Sequence, residues 1–270
     1  MSKTILLTGA TDGIGYETAK KLAVQGHLLL LHGRSDEKLE QLRASLSTGG
    51  KVETYRADLS RLSEVRALAD AIASKHDRVD VIINNAGVYK TRQPLTPEGF
   101  DTRFIVNTVA PYVLSKQLLP LVPSDGRLIN LSSAAQAPVD LAALAGQRTL
   151  SDGEAYAQSK LAITMWSFHL ARELADDGPS VLAVNPGSLL GSKMVKEAFG
   201  TSGKDIGIGA DILVRTALSD EFAGVTGRYY DNDRRALGHP HPDAHDATKT
   251  EALVNAIDSV IGKLDGIADA

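Results

Sequence analysis

Apolar runs of strand length alternate with helical patterns along most of this chain: KTILLTGA, YETAKKLAVQG, HLLLLHGR, DEKLEQLRASL, KVETYRADL. Short apolar runs that switch repeatedly to a 3.6-residue period are the pattern of βαβ units. The alternation continues through EVRALADAIASKH, the buried strand VDVIINNAG, a long helix from about Phe100 to Leu119, the strand GRLINLSS, a helix carrying Tyr156, and SVLAVNPG. Six strands joined by helical crossovers predict an α/β fold with one doubly wound parallel sheet, helices on both faces and ligands at the carboxyl ends of the strands. A chain of 270 residues can enclose one continuous core. With no solenoid repeat and no Pro/Ser-rich linker, residues 1–270 read as a single domain.

Composition narrows the function. Lys plus Arg number 29 and Asp plus Glu 33, a net charge of -4 that is too even for a nucleic-acid footprint. The absence of cysteine excludes disulfides, thiolate catalysis and sulfur-ligated metals and leans towards the cytosol. The longest apolar runs fall well short of the roughly 20 residues that cross a bilayer. Lys3 leads at once into a strand and glycines, not into a secretory leader. A cytoplasmic protein with no nucleic-acid or membrane partner is expected.

In LLTGATDGIG, Gly9, Gly13 and Gly15 follow a strand and open a helix. Glycines there let the backbone turn tightly and approach a pyrophosphate, which the helix N-terminus attracts through free N–H groups and its dipole. With a strand before it and an amphipathic helix after it, the motif predicts a Rossmann-type nucleotide site. The end of the second strand usually reads the cofactor's 2′ group, and there HLLLLHGRS places Arg34 nineteen positions after Gly15. A guanidinium pairs with a 2′-phosphate, so NADP(H) is favoured over NAD(H). Asp36, which could reach a ribose hydroxyl, remains the alternative.

Further on, EAYAQSKLAITMW puts Tyr156 and Lys160 four residues apart, on one face of a helix. The spacing alone does not separate a catalytic pair from two solvated side chains. In their order along the chain, TGATDGIG, the NNAG at 84–87, Asn107, the LINLSS at 128–133, Tyr156-x-x-x-Lys160 and the NPG at 185–187 resemble the short-chain dehydrogenase/reductases. The gap of twenty-three residues from Ser133 to Tyr156, with the AYAQSKLA context and GVTGRYY at 224–230, is similar to the branch holding retinol dehydrogenases and the WW-domain-containing oxidoreductase.

The resemblance implies an oxidoreductase acting on a carbonyl or secondary alcohol, with Ser133, Tyr156, Lys160 and Asn107 as its catalytic residues; Ser132 is the alternative to Ser133. The cofactor residues it implies start in the glycine loop with Gly9, Thr11, Asp12, Gly13, Ile14 and Gly15 and continue through Arg34 and Ser35. Asp58 and Leu59 would lie near the adenine; Asn85, Ala86 and Gly87 would line a ribose. Tyr156 and Lys160 would also meet the cofactor, and Pro186, Gly187 and Ser188 would flank the nicotinamide. Where many relatives carry Thr, this chain has Gly191, with Ser192 nearby.

The chemistry explains these residue types. Hydride transfer to a carbonyl leaves charge on oxygen, so a proton donor and a second hydrogen bond are needed there, roles for Tyr156 and Ser133. A free phenol ionises near about 10, and service near neutrality calls for a lower value, with the Lys160 ammonium supplying the field. Asn107 would hold a water in a relay to Lys160, its carbonyl freed by Pro111, which has no N–H to offer four residues later.

The remaining signals are weaker. The glycine-dense FGTSGKDIGIG, residues 199–209, reads as a connection or a mobile flap. The insert AAQAPVDLAALAGQRTL, residues 134–150, hints at an apolar substrate wall, with Arg148 as a contact for an acidic substrate. GHPHPDAHD gathers His239, His241, His245, Asp243 and Asp246 but reads as a solvated loop, and no metal site is expected. Met165, Trp166 and Phe168 read as packing or as an interface of a homo-oligomer. The substrate expected is small to medium and mostly apolar. The rival readings are a non-catalytic NADP-sensing protein on the same fold and a nucleotide-sugar epimerase or dehydratase.

Overall fold

The computed structural model describes residues 2–46, 50–175 and 177–268. Strands β1 (Thr4–Leu7), β2 (Leu28–Gly33), β3 (Val52–Arg56), β4 (Val81–Asn84), β5 (Arg127–Leu131), β6 (Ser180–Asn185), β7 (Arg228–Asp231) and β8 (Ala236–Gly238) form one sheet. Their order is β3-β2-β1-β4-β5-β6-β7-β8, parallel throughout except for the antiparallel β7–β8 pair. The chain winds outward from β1 through β2 to β3, then crosses back to lay β4 on the other side of β1. That reversal opens a crevice at the carboxyl ends of β1 and β4, where ligands of such sheets bind.

The helices are α1 (Gly13–Ala23), α2 (Asp36–Ser45), α3 (Leu62–Ala73), α4 (Thr102–Phe104), α5 (Ala110–Leu118), α6 (Leu141–Leu144), α7 (Asp152–Leu174), α8 (Lys193–Phe199), α9 (Gly207–Leu218) and α10 (Ala247–Ala268). Successive side chains of a strand point to opposite faces. In β1, Ile5 and Leu7 accordingly join one core with Ala19, Leu22, Ile212 and Leu213, while Leu6 joins the other with Val65, Phe104, Trp166 and Ile257. Burial on both faces is why the strands read as continuous apolar runs.

Two strands go beyond the six expected. RYYD and ALG are only 4 and 3 residues long, so neither shows an extended apolar run. They pair because β6 offers a free edge. The long helix expected from Phe100 to Leu119 is instead three pieces, with a π-helical turn at Ile105–Val109 between α4 and α5. The wide turn carries Asn107 and precedes Pro111, whose missing N–H disfavours a regular α register at this point.

Ser151 and Glu154 cap α7 reciprocally, which fixes where the helix of Tyr156 begins. Buried Arg103 pairs with Asp101 at 2.6 Å and with Asp152 in the first turn of α7, tying α4 to that helix. Met165, Trp166 and Phe168 are buried, Trp166 meets the Tyr112 ring edge-on at 5.6 Å, and α10 packs over α7, α3 and α6. Those three side chains are therefore internal packing within this chain.

The insert departs from the expectation of a substrate wall. Ala143 and Leu144 of α6 are buried in the core, and Arg148 bonds Asp140 at 2.9 Å. Its apolar residues serve the contact with α10. Of FGTSGKDIGIG, the first residue ends α8 and the last three open α9. The connection between them is drawn back onto the chain by paired hydrogen bonds, Lys204 N–H to Leu189 O and Gly191 N–H to Lys204 O, both 2.7 Å. In GHPHPDAHD, His241 Nδ1 accepts from Asp243 N–H, Lys249 pairs with Asp243, and the His245 ring lies 5.3 Å from that of Phe168.

Candidate active site

A cleft of about 460 Å³ runs along the carboxyl ends of the strands, from Arg34 and Lys38 past the glycine loop to Tyr156, Lys160 and Met194. At its first end, β1 leads into Gly9, whose φ of +67° suits glycine. A side-chain carbon on Gly9 would come within 2.9 Å of the Ala86 backbone, so β4 has to be this close to the turn. Asp12 caps α1 by accepting from Gly13 N–H at 2.7 Å. Asn85 donates its amide to the carbonyls of Thr8 and Gly9 at 2.8 and 3.1 Å. Asn85 thus braces the glycine loop and lines the cleft together with Ala86 and Gly87.

A residue outside every motif named above completes this brace. His32 is buried at the end of β2, accepting from Gly9 N–H at Nδ1 (3.2 Å) and donating from Nε2 to Ala57 O at 3.0 Å. Burial pushes its pKa down to about 4, which keeps the ring neutral and the acceptor available. Beyond it, Arg34 is exposed at the cleft edge with no ion-pair partner among the described residues, whereas Asp36 is paired with Arg56 at 3.7 Å. The arginine lines the cleft, and the carboxylate does not. Ser35 caps α2, and Asp58, which binds Ser60 at 2.8 Å, lines the cleft with Leu59.

At the other end, α7 and the loop after β5 bring the remaining residues together. The Tyr156 hydroxyl hydrogen-bonds Ser133, whose Oγ also accepts from Ala135 N–H at 3.1 Å. Ser132 is turned away into the core, bonded to Lys160 O and to Thr164 Oγ1. Of the adjacent serines, only Ser133 reaches the phenol. Lys160 is buried, with Nζ 2.7 Å from Leu131 O and 5.7 Å from the centre of the Tyr156 ring.

Electrostatics correct one expectation. Burial raises the Tyr156 pKa, with the Ser133 hydrogen bond acting in the opposite direction, and burial pushes Lys160 down to about 8. Tyr156 was expected below the ordinary phenol range. Burial of the phenol is the larger influence there, and the Lys160 ammonium is itself buried and bonded to the Leu131 carbonyl. The result is a phenol held protonated.

Asn107 accepts from Val88 N–H at 2.8 Å and donates to Val88 O and to Ser159 Oγ, both at 2.9 Å. Ser159 Oγ in turn donates to Tyr156 O at 2.7 Å. The π-turn residue thereby locks the exit of β4 to helix α7. Gln136 and Tyr229 are further positioning groups that sequence patterns did not reveal. Gln136 Nε2 and the Tyr229 hydroxyl donate to Ser133 O at 2.9 and 3.1 Å, and Gln136 Oε1 accepts from His241 N–H at 2.8 Å. Pro186 lines the cleft, Gly187 has φ +121°, and Ser188 donates from both N–H and Oγ to Asp233. Ser192 caps α8, whose Met194 and Glu197 face the cleft across from Tyr89, Leu95 and Val106.

The family model described as short chain dehydrogenase matches residues 3–202. The chain belongs to the short-chain dehydrogenases. This dehydrogenase is 32% identical to retinol dehydrogenase 13 of Homo sapiens over 266 residues, 90% of this chain and 80% of the relative. Its fold is similar to that of an uncharacterised protein from Mycobacterium Paratuberculosis, with a TM-score of 0.79, 29% identity and coverage of 96% and 92% of the two chains. It is also similar to the landomycin C-6 ketoreductase LanV, solved with bound NADP and rabelomycin, with a TM-score of 0.67 and 29% identity over 85% of this chain and 94% of that one. This dehydrogenase is an oxidoreductase on a Rossmann-type sheet, and none of its helices among the described residues is long and apolar enough to cross a membrane.

Proposed function

We propose that this dehydrogenase moves a hydride between NADP(H) and a carbonyl or secondary alcohol of a small to medium, mostly apolar substrate. It does so in the cytoplasm, as a single catalytic domain over residues 1–270. The observation that carries the reading is one cleft with Arg34, without an ion-pair partner among the described residues, at one end and the bonded Tyr156–Ser133 pair beside buried Lys160 at the other. The residues present fit a dinucleotide: Gly9, Gly13 and Ile14 bring the N-terminus of α1 to the cleft, where a pyrophosphate would lie, and Arg34 suits a 2′-phosphate. Asp58, Leu59, Asn85, Ala86 and Gly87 would line the adenosine and ribose, with Pro186 and Gly187 at the far end.

When bound, the nicotinamide supplies or accepts the hydride. Tyr156 donates a proton to the carbonyl oxygen in reduction, which suits a phenol kept protonated by burial. Ser133 gives the second hydrogen bond and afterwards stabilises the phenolate. Lys160 stabilises the same charge from beneath the ring. Asn107, through Val88 and Ser159, holds the phenol in register with the loop that begins the substrate wall.

The names of the relatives support the reading, one being a retinol dehydrogenase and another a landomycin C-6 ketoreductase solved with NADP and rabelomycin. Tyr89, Leu95, Val106 and Met194 provide a mostly apolar wall here. A panel of aldehydes, ketones and quinones with NADPH tests the reading, and absence of turnover on every member would reject it.

Two expectations follow directly. Arg34→Asp should cut the preference for NADPH over NADH by about ten- to a hundredfold, because it replaces the phosphate partner with a repelling carboxylate. Titration by nicotinamide fluorescence measures this, and an unchanged ratio of dissociation constants refutes the arginine's role. Because Lys160 is charged only below about 8, kcat for reduction should fall as pH rises through that value. In Lys160→Arg the cation persists, so this limb should vanish at a lower overall rate. A wild-type profile without the limb overturns the assignment.

A further inference from the structure

The loop that follows β6 is gripped by the turn that follows β7. Asn185 Nδ2 donates to Asp231 Oδ1 at 2.9 Å and to Asp233 Oδ2 at 3.0 Å, and Asn232 Nδ2 donates to Pro186 O at 2.9 Å. Ser188 gives Asp233 its N–H, 3.0 Å from each carboxylate oxygen, and its hydroxyl, 2.5 Å from Oδ2. Lys204 Nζ lies 3.8 Å from Asp233 Oδ1, and Lys204 is also the residue whose backbone pairs with Leu189 and Gly191. One carboxylate thus joins the end of β6, the residue after Gly187 and the neck of the segment bearing α8.

We propose that Asp233 is a positioning residue for the nicotinamide end of the cofactor, holding Pro186–Ser188 and the neck at Leu189–Lys204 in a single arrangement. The proposal rests on the NADP(H) reading above. A carboxylate is an acceptor-only group able to take several donors at once, and it here receives those of Ser188 and Asn185 together with a nearby cation. With both of its donors engaged by Asp233, Ser188 anchors the loop and is not itself presented to the cofactor. The cleft residues contributed by this part of the chain, Pro186, Ser192, Lys193, Met194 and Glu197, all lie on the stretch so anchored. The adenosine end depends on other elements, the turns after β1 and β2 and the loop after β3, none of which touches the clasp in the bonds above.

That division gives the test its contrast. Asp233→Ala should weaken NADPH binding about tenfold and lower kcat, because the loop must be ordered at each binding event. Binding of 2′,5′-ADP, which carries the adenine end and the 2′-phosphate but no nicotinamide, should stay within about twofold of wild type. Asp233→Asn keeps one acceptor oxygen and the side-chain shape and should fall between the two for NADPH, which guards against a variant that merely folds poorly. Equal loss of both ligands, or unchanged NADPH affinity in either variant, would overturn the clasp while leaving the cofactor assignment intact. Wild-type protein that bound neither ligand would instead overturn the cofactor reading and this proposal with it.

Discussion

Turnover of the Tyr156→Phe protein is expected to fall about a thousandfold while NADPH binds as before. Phenylalanine retains the ring that meets Tyr89 at 4.9 Å and lies above Lys160, so helix α7 and the cleft keep their packing. Only the hydroxyl is lost, and with it both the proton donor and the partner of Ser133. The Lys160 ammonium does not stand in for it, being turned to Leu131 O. Steady-state kcat at saturating NADPH, beside a fluorescence titration of the cofactor, measures the two effects separately. Residual activity above about a tenth of wild type would remove Tyr156 from its role.

The second large effect is expected at the opposite end of the cleft. A Cβ added to Gly15 would fall 2.1 Å from Gly9 O and 2.5 Å from Asn85 Nδ2. A real contact cannot be this short, and the obstructing atom is a backbone carbonyl in a turn that His32 and Asn85 both hold. Gly15→Ala must therefore push α1 away from the turn. The cost expected is that of overpacking, about 1–3 kcal/mol, together with a loss of NADPH affinity of about a hundredfold or more as the N–H groups of the helix end leave their alignment. Gly262→Ala, where a Cβ meets nothing within 4 Å, is the control and should leave Tm unchanged or slightly raised. A Gly15→Ala protein that bound NADPH with wild-type affinity would contradict this view of the loop.

Much of this site was legible because its residues work over short stretches of chain. The glycine loop lies between one strand and one helix, and Tyr156 and Lys160 share a helical face, so spacing alone suggested their juxtaposition. The groups that were missed act across the sequence. His32 reaches the Gly9 turn, Gln136 reaches His241, and Asp233 reaches Ser188, contacts that exist only once the sheet has its order. The same reason hid β7 and β8, short segments made into strands by the neighbouring edge and not by their own pattern. The phenol's environment was misjudged because the i, i+4 spacing reports proximity but not desolvation. The apolar insert was misassigned because Ala and Leu suit a helix against α10 as well as they suit a pocket.

Asn107 deserves a last consequence. Its amide grips both the N–H and the C=O of Val88, and through Ser159 it grips the turn of α7 that carries Tyr156. Everything the substrate meets after Val88, starting with Tyr89, is therefore hung from the same fixed point as the phenol. Such a mount separates the part of the molecule that chooses a ligand from the part that performs the reaction. The wall beyond Val88 can then change its shape while the mount beneath the phenol stays as it is.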